Sequence, residues 1–245
     1  MSSENKIKAI VLTCDRYRAI TNHMIRQYER LWPDHPFLFH VPYQELRGAD
    51  SDRIKFFQTP APLKATVLRL IEDLDDEEWV YWCVDDKYPI QLRTKKIAEL
   101  IANALRSHDM DALMFCRCRV TLDSPKTALF PEKHRSAAGD IYFERRAWFQ
   151  IWIHQLLRVK VLRHLFTHMP DDMASAKLMD KFKNDVPKLP EHRLFVTKEN
   201  FAVFGESTNR GTITQNCFES ARANGIDLPE WFRNPNGKYV TLGTL

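Results

Sequence analysis

Two adjacent aspartates, Asp85 and Asp86, directly follow the most strand-like segment of the 245-residue chain, the run WVYWCV at positions 79–84. Oxygen ligands on a short loop suit Mg²⁺ or Mn²⁺, which take one or two carboxylates together with substrate phosphates. In open α/β sheets, ligands bind at the carboxyl ends of the strands, which is where this pair is expected. The two residues also suit a plain turn before Pro89, because aspartate is common in turns. Both interpretations stay open on spacing alone.

A second set of candidate ligands consists of His164 and His168, followed by Asp171 and Asp172. Histidines four residues apart share one face of a helix and can ligate zinc when an acid lies nearby. The alternative is a pair of surface histidines, since a chain with nine histidines produces such pairs easily. A metal-dependent phosphoesterase that uses these four residues is therefore one functional alternative.

The composition excludes several ways of binding phosphate. The chain has 7 glycines, whereas average usage would supply about 17. It contains neither G-x-G-x-x-G nor G-x-x-x-x-G-K-[ST], so any bound phosphate must be held by something other than a glycine-rich loop. The net charge of +4 is too small to indicate nucleic-acid binding. We expect no specific nucleic-acid partner.

The cysteines and the apolar runs bear on the expected compartment. Five cysteines, an odd number, lie mostly in apolar segments, which is typical of reduced thiols in a cytoplasmic protein. The start MSSENKIK lacks the apolar core of a signal peptide, and no apolar run approaches 18 residues. We expect a cytoplasmic protein. Peripheral contact with the inner face of a membrane stays open, because an amphipathic helix can lie on one.

Apolar periodicity predicts how these residues are positioned. Strands are predicted at 7–12, 37–41, 54–57, 79–84 and 111–117, with helices over 20–31, 62–74 and 94–108. This alternation predicts an α/β fold with a mostly parallel sheet covered by helices. Later elements are a long amphipathic helix over 148–166, a helix over 172–182, an extended stretch over 194–204, a turn at 209–211 and a helix over 214–224 capped by Gly225. We expect one domain, with Trp148 and Trp152 in its core rather than stacked on a sugar.

Several segments together carry a family resemblance. They are T-x-D-R-Y after the first strand, Pro-Leu-Lys opening the helix at 62–64, W-V-Y-W-x-x-D-D-x-Y at 79–88, and NFAVFGESTNRGTITQNCFESARANGIDLP at 200–229. The chain resembles bacterial GT-A-type glycosyltransferases, especially those of lipopolysaccharide and capsule biosynthesis. The resemblance covers most of the chain and is loose between about 120 and 195.

The resemblance implies a GT-A-like (Rossmann-like) sheet with an elaborated helical and hairpin C-terminal half. Residues from about 1 to 120 would bind a nucleotide diphosphate sugar, and those from about 121 to 245 a glycan or lipid-linked acceptor. It also implies Mn²⁺ or Mg²⁺ between the acidic motif and the diphosphate. Asp85 and Asp86 match the D-x-D region, with Asp86 the stronger candidate for direct ligation. Lys87 departs from that motif and is a candidate for holding the diphosphate by its own charge.

Further donor-binding candidates follow from the resemblance. Thr13, Asp15 and Arg16 match the loop that lines the nucleoside, and Lys64 belongs to the matching helix start. Independently of the resemblance, Arg117 and Arg119 lie two apart, so on a strand they share a face and form a candidate diphosphate clamp. The alternative for the two arginines is ordinary charge alternation on an edge strand.

An inverting transferase needs a carboxylate that takes the proton of the acceptor hydroxyl. Asp171 and Asp172 lie in the acceptor half and are the candidates. The alternative is that they cap a helix after Pro170. Replacing Asp86 by alanine is expected to abolish transfer and to leave the melting temperature nearly unchanged. A non-catalytic nucleotide- or glycan-binding module on the same fold is the other functional alternative, because Lys87 stands where a second ligand is expected.

Overall fold

The computed structural model describes residues 6–117, 129–136, 138–148, 150–173, 176–183, 185–209, 211–233, 235 and 241–245. The first half follows the predicted alternation of strands and helices, with one additional strand, which spans Lys87–Leu92. Its strands are β1 (Ile7–Leu12), β2 (Phe37–Tyr43), β3 (Ile54–Gln58), β4 (Trp79–Val84), β5 (Lys87–Leu92) and β6 (Ala112–Met114). Its helices are α1 (Arg18–Leu31), α2 (Leu63–Leu70) and α3 (Thr94–Leu105), with a short 3₁₀ turn at Asp15–Tyr17.

The second half consists of shorter elements. Its strands are β7 (Leu129–Arg135), β8 (Ile141–Arg145), β9 (Gln155–Arg158), β10 (Leu194–Thr197), β11 (Ala202–Glu206), β12 (Thr208–Asn209), β13 (Thr212–Ile213) and β14 (Thr241–Leu242). Its helices are α4 (Val159–His168), α5 (Ala176–Phe182) and α6 (Gln215–Ala223), and a 3₁₀ turn spans Glu230–Phe232. Gly225 follows α6 at φ 67°, which confirms the predicted C-terminal cap.

Among the described residues, nine strands form the central sheet in the order β3-β2-β1-β4-β9-β6-β10-β8-β7. Strands β3, β2, β1 and β4 are mutually parallel, and β6 is parallel to β10. Strands β8 and β9 run against the other seven. The predicted fold class, α/β with a mostly parallel central sheet flanked by helices, is therefore confirmed.

The predicted long helix over 148–166 is wrong. The chain turns after Trp148, forms β9 between β4 and β6, and begins helix α4 only at Val159. Gln150 has φ 60°, a conformation that a right-handed helix does not contain. All four residues of β9 are buried. The apolar residues before Val159 are buried in a turn and in a strand that is covered on both faces, and in the sequence they happen to recur at helical spacing.

Both faces of the central sheet are covered. Along β4, Trp79, Tyr81 and Cys83 point into one hydrophobic cluster, which also contains side chains of α1, α3 and α6. The alternate residues of β4 point into the other cluster, with side chains of α2, α4 and α5. This period-two division explains why all of β4 is apolar. Trp148 is buried in the second cluster, as predicted, and its Nε1 donates to the Val186 carbonyl across 2.6 Å.

A small second sheet stands beside the first and was not predicted. It consists of β14, β11 and β5, with β5 antiparallel to β11. The side chain of Tyr88 on β5 packs so closely over Gly205 that a Cβ there would lie 2.5 Å from the tyrosine ring. Strand β5 was missed because it contains Pro89 and few apolar residues, and its pairing partner lies more than a hundred residues away.

The cysteines and the helices were also considered in the sequence, and the structure describes both. None of the four described cysteines, Cys14, Cys83, Cys116 and Cys217, is in a disulfide. Among the described residues, no helix has the length and apolar character that crossing a membrane would require.

Candidate active site at the Asp85–Asp86 turn

The acidic pair forms the turn that connects the two sheets. Asp85 and Asp86 are the two residues between β4 of the central sheet and β5 of the small sheet. Strand β1 ends beside β4, with Leu12 paired to Val84, and the Asp85 N–H donates to the Leu12 carbonyl across 3.2 Å. The turn therefore lies at the carboxyl edge of the parallel strands, the expected location of a ligand site.

Thr13 holds the carboxylate of Asp85. The Thr13 hydroxyl donates to Asp85 Oδ2 across 2.7 Å and lies 2.7 Å from the Thr21 hydroxyl of α1. Thr21 in turn reaches the Tyr17 carbonyl at 3.2 Å. Burial raises the pKa of Asp85 to about 7, against the hydrogen bond from Thr13 and with a further increase from the charge of Asp86. A nearby cation would stabilise the ionised form of the Asp85 carboxylate.

The carboxylate of Asp86 is engaged more completely than that of Asp85. Its Oδ1 accepts the backbone N–H of Thr208 at 2.9 Å and the Thr208 hydroxyl at 2.7 Å. Its Oδ2 accepts the ammonium of Lys87 at 2.9 Å. The Asp86 side chain is 42% exposed, so it remains accessible from solvent. Asp86 thus joins the turn to β12 as well as contributing charge.

Lys87 is buried between acids. Its side chain is 9% exposed, and its Nζ lies 2.9 Å from Asp86 Oδ2 and 3.8 Å from Glu206 Oε1. A buried ammonium needs such partners, because an unpaired charge is strongly disfavoured away from water. The expectation that Lys87 holds a diphosphate by its own charge stays a prediction. In this structure its charge is already balanced by Asp86 and Glu206.

The segment after β11 fixes the backbone of the turn. Ser207 donates its N–H to the Asp86 carbonyl at 2.8 Å and its hydroxyl to the Asp85 carbonyl at 2.9 Å. Thr214, which caps α6, donates its N–H to the Ser207 carbonyl at 3.0 Å. Ser207 therefore has an anchoring role and not that of a nucleophile. The residues at 206–208 were missed as site residues, although they fall in the segment that carries the family resemblance.

A buried hydrogen-bond chain supports the turn from the other side. His154 lies 2.9 Å from the Val84 carbonyl through Nε2 and 2.7 Å from the Tyr28 hydroxyl through Nδ1. Because a carbonyl only accepts, Nε2 carries the proton, Tyr28 donates to Nδ1, and Tyr81 donates to Tyr28 across 2.9 Å. Burial lowers the pKa of His154 to about 3, consistent with a neutral ring. No sequence signal marked this histidine.

Asp15 and Arg16, in the loop after β1, make different kinds of contact. The Oδ2 of Asp15 accepts the backbone N–H groups of residues 44–46 at 2.7–3.1 Å, and Oδ1 pairs with Arg18 at 3.1 Å. Burial would raise the pKa of Asp15, but these hydrogen bonds and the charge of Arg18 outweigh it and lower the pKa. Asp15 therefore fixes the neighbouring loop. Arg16 is exposed, and its guanidinium lies over the ring of Trp231, 4.6 Å from the centroid.

Lys64 and Asp171 are brought together. The Lys64 ammonium lies 2.6 Å from Asp171 Oδ1 and donates to the Met169 carbonyl at 2.8 Å. This pair ties the first turn of α2 to the segment after α4. The Asp171 side chain is 92% exposed, and Asp172 is exposed as well. Neither aspartate caps α5, since that helix begins at Ala176, so the capping interpretation is wrong.

Of the two arginines of the predicted clamp, only Arg117 lies among the described residues. Strand β6 ends at Met114, so Arg117 lies beyond it and the predicted strand over 111–117 is shorter than expected. The Arg117 N–H donates to Asn200 Oδ1 at 2.8 Å. Arg119 lies outside the described residues. The clamp stays a prediction.

His164 and His168, the histidine pair of the phosphoesterase alternative, each contact a backbone carbonyl. His164 Nε2 lies 2.9 Å from the Pro187 carbonyl, and His168 Nδ1 lies 2.8 Å from the His164 carbonyl. Across the described part of the chain, no three His, Cys, Asp or Glu side chains cluster so as to hold a metal ion by themselves. Asp171, the nearest acid of that hypothesis, is paired with Lys64 instead.

The acidic turn is a different kind of candidate site, because Mg²⁺ and Mn²⁺ complete their coordination with water and substrate phosphates. Asp85 fits: its ionised form is disfavoured by burial and by Asp86, and a bound cation would reverse both effects. Asp86 fits less well, because Thr208 and Lys87 already donate to its two oxygens. The hydrogen bonding therefore favours Asp85 over Asp86 as the direct ligand.

Several solved structures are similar to this chain at low sequence identity. No protein-family model matches the chain, and no curated protein matches it. One similar structure is galactosyltransferase LgtC in complex with donor and acceptor sugar analogs, with a TM-score of 0.42 and 14% identity over 75% of this chain and 67% of that one. Another is S. aureus TarS 1–349 in complex with UDP-GlcNAc, with a TM-score of 0.49 and 16% identity over 92% of this chain and 68% of that one.

A third similar structure is the Francisella tularensis 2-C-methyl-D-erythritol 4-phosphate cytidylyltransferase, with a TM-score of 0.42 and 14% identity over 89% of this chain and 99% of that one. This chain spans 59% of a further TarS 1–349 structure and 36% of another TarS structure. Function has to be argued from the side chains of this chain.

Proposed function

We propose that the protein is a glycosyltransferase that moves a sugar from a nucleotide diphosphate sugar to a glycan or lipid-linked acceptor. The observation that carries the proposal is the hydrogen bond of 2.7 Å between Thr13 and Asp85, residues 72 positions apart. It joins the two segments that resemble the nucleoside loop and the acidic motif of GT-A-type enzymes. Two motifs that are separate in sequence thus form one location at the carboxyl edge of the sheet.

The charges at this location suit a diphosphate leaving group in combination with a cation. The buried ammonium of Lys87 lies 2.9 Å from Asp86 and 3.8 Å from Glu206, and Asp85 adds a further carboxylate beside Asp86. A bound Mg²⁺ or Mn²⁺ would neutralise the developing charge on the departing diphosphate. Asp85 would hold that ion, while Thr208 and Lys87 keep Asp86 oriented beside it. Ser207 and His154 keep the backbone of the turn in place.

The general base is proposed among Asp171 and Asp172, for a reaction that inverts the anomeric centre. The oxygen of the acceptor hydroxyl attacks the anomeric carbon, the bond from that carbon to the diphosphate oxygen breaks, and the hydroxyl proton passes to the aspartate. Asp171 is fixed by Lys64, and Asp172 is exposed beside it. Arg117 and Arg119 remain candidates for contact with the donor diphosphate.

The biological setting is proposed from the resemblance alone. An enzyme of this type would act in the cytoplasm, in assembly of a surface polysaccharide. A lipid-linked acceptor would bring it to the inner face of the membrane.

Screening nucleotide sugars tests the function. The purified protein is incubated with UDP-, GDP-, TDP- and CDP-linked sugars, with Mn²⁺ or with EDTA, and release of the nucleotide is measured. We expect one donor to be hydrolysed slowly in water, with the rate lost on chelation. Asp185→Asn, at an exposed acid in the loop after α5, is a control variant that should behave like wild type. Absence of turnover and of binding for every donor would contradict the proposal.

A non-catalytic nucleotide-binding module is the second candidate, and the engagement of Asp86 by Lys87 and Thr208 favours it. If Lys87 replaces the metal, nucleotide binding should be unaffected by EDTA, and no donor should be turned over. Calorimetry with nucleoside diphosphates, with and without Mn²⁺, separates the two functions.

A further inference from the structure

An exposed tryptophan lies next to the candidate site without taking part in the core. Trp231, in the 3₁₀ turn Glu230–Phe232, is 44% exposed. Its neighbour Phe232 is buried and anchors the turn, and its N–H donates to the Pro229 carbonyl at 2.8 Å. Trp231 is therefore held at the surface by the residue that follows it.

Trp231 touches the loop after β1 at two residues. The Tyr17 ring meets it edge-on, with centroids 5.8 Å apart, and the Arg16 guanidinium lies over its ring at 4.6 Å. Tyr17 is connected to the acidic turn by hydrogen bonds: its carbonyl lies 3.2 Å from the Thr21 hydroxyl, which lies 2.7 Å from the Thr13 hydroxyl that donates to Asp85. The Arg16–Trp231 pair thus stands at the rim of the candidate site.

Arg16 is a cation whose position is set by an aromatic face. Among the described residues, it forms no ion pair, whereas the neighbouring Arg18 pairs with Asp15. Stacking on an aromatic ring restricts a guanidinium and leaves its N–H groups free to donate. A preorganised arginine of this kind suits an anionic oxygen ligand such as a phosphate.

We propose that Trp231 is a positioning residue that holds the Arg16 guanidinium toward the diphosphate of the bound nucleotide. The inference rests on the proposed function and adds to it a residue from the C-terminal segment, outside the motifs of the resemblance. Trp231 itself contacts no phosphate. Removing the Trp231 ring leaves the charge of Arg16 unchanged but lets the long arginine side chain sample many rotamers. Ligand binding must then restrict these rotamers, which costs conformational entropy.

The experiment measures affinity for the nucleoside diphosphate that wild type binds best among UDP, GDP, TDP and CDP, and for inorganic pyrophosphate, by calorimetry with Mn²⁺. The variants are Trp231→Ala, Trp231→Phe, Arg16→Ala and the double variant Arg16→Ala/Trp231→Ala. The matched control is Trp152→Phe, another partly exposed tryptophan, whose Nε1 donates to Asp180 at 2.7 Å. Unfolding curves confirm that each variant is folded.

We expect Trp231→Ala to weaken binding of both ligands about 5-fold, the size of an exposed cation–π contact. Trp231→Phe should restore most of the affinity, since it keeps an aromatic face. In the Arg16→Ala background, Trp231→Ala should have no further effect, which is the signature of action through Arg16. Trp152→Phe should bind like wild type.

Three results would overturn the inference. Wild-type affinity in a folded Trp231→Ala variant shows that the aromatic face is not needed. Equal losses from Trp231→Ala with and without Arg16 show that it does not act through the arginine. A loss for nucleotides with none for pyrophosphate shows that the pair serves the nucleoside instead. If wild type binds no nucleoside diphosphate, the proposed function fails first, and the inference fails with it.

Discussion

Thr208 donates both its backbone N–H and its hydroxyl to Oδ1 of Asp86, at 2.9 Å and 2.7 Å. The opposite oxygen of the same carboxylate accepts the Lys87 ammonium. Asp86 therefore connects β12 to the turn between the two sheets and balances a buried charge. The acidic turn is at once a candidate ligand site and a structural junction.

The first prediction concerns Asp86. Replacing it by alanine should lower the free energy of unfolding by about 1–2 kcal/mol, because Thr208 and Lys87 lose their partner. This reverses the expectation from sequence that the melting temperature would hardly change. Urea unfolding at pH 7 provides the measurement, and Asp172→Ala, at an exposed residue, should stay within about 0.5 kcal/mol of wild type. An unchanged stability for Asp86→Ala would show that the junction contributes nothing.

The second prediction concerns the buried chain Tyr81–Tyr28–His154–Val84. His154→Phe should cost about 2–3 kcal/mol, because it leaves the Val84 carbonyl buried without its donor. Tyr81→Phe removes only the terminal hydroxyl and should cost about 1 kcal/mol. Denaturant unfolding compares the two variants. Equal costs would mean that the histidine does not support the turn.

The third prediction concerns pH. Burial lowers the pKa values of His23, His35 and His40 to about 4, below the ordinary value of 6.5. Between these values the unfolded chain binds protons on these histidines that the folded chain does not, so the contribution of the three histidines to stability is full above pH 6.5 and is lost as pH drops toward 4. Each histidine contributes up to about 1.4 kcal/mol per pH unit in that window.

Unfolding curves between pH 7 and pH 4.5 test this dependence. The variant His40→Phe should show a shallower decline than wild type, because one titrating ring is removed while the stacking on Phe57, at 4.6 Å, is kept. The exposed His168→Gln is the control and should follow the wild-type curve. Identical slopes for His40→Phe and wild type would contradict the assignment.

Local periodicity was sufficient for the helices and the central-sheet strands of the first half of the chain, but not for β5, and it located the edge of the sheet where the site lies. Strand β4 and the acids after it were predictable, because an apolar run followed by two carboxylates has few alternatives in an α/β fold. The helical stripe over 148–166 misled, since β9 is buried on both faces and such a strand has no period of its own.

The supporting residues of the site could not have been read from spacing. Glu206, Ser207 and Thr208 reach the turn only because β11 pairs with β5 more than a hundred residues away. His154 and Trp231 reach it through tertiary packing, with no motif around either residue. Such contacts depend on the order of strands and not on the composition of a segment.

The variant Asp85→Asn tests whether Asp85 holds the cation at the leaving diphosphate. Burial and the charge of Asp86 already disfavour a negative charge at position 85, and an asparagine can still accept the Thr13 hydrogen bond. We therefore expect wild-type or higher stability together with a loss of at least about 100-fold in donor turnover, because a group that holds the cation at the leaving diphosphate is removed. A folded Asp85→Asn protein that turns over its nucleotide sugar at the wild-type rate would contradict the account.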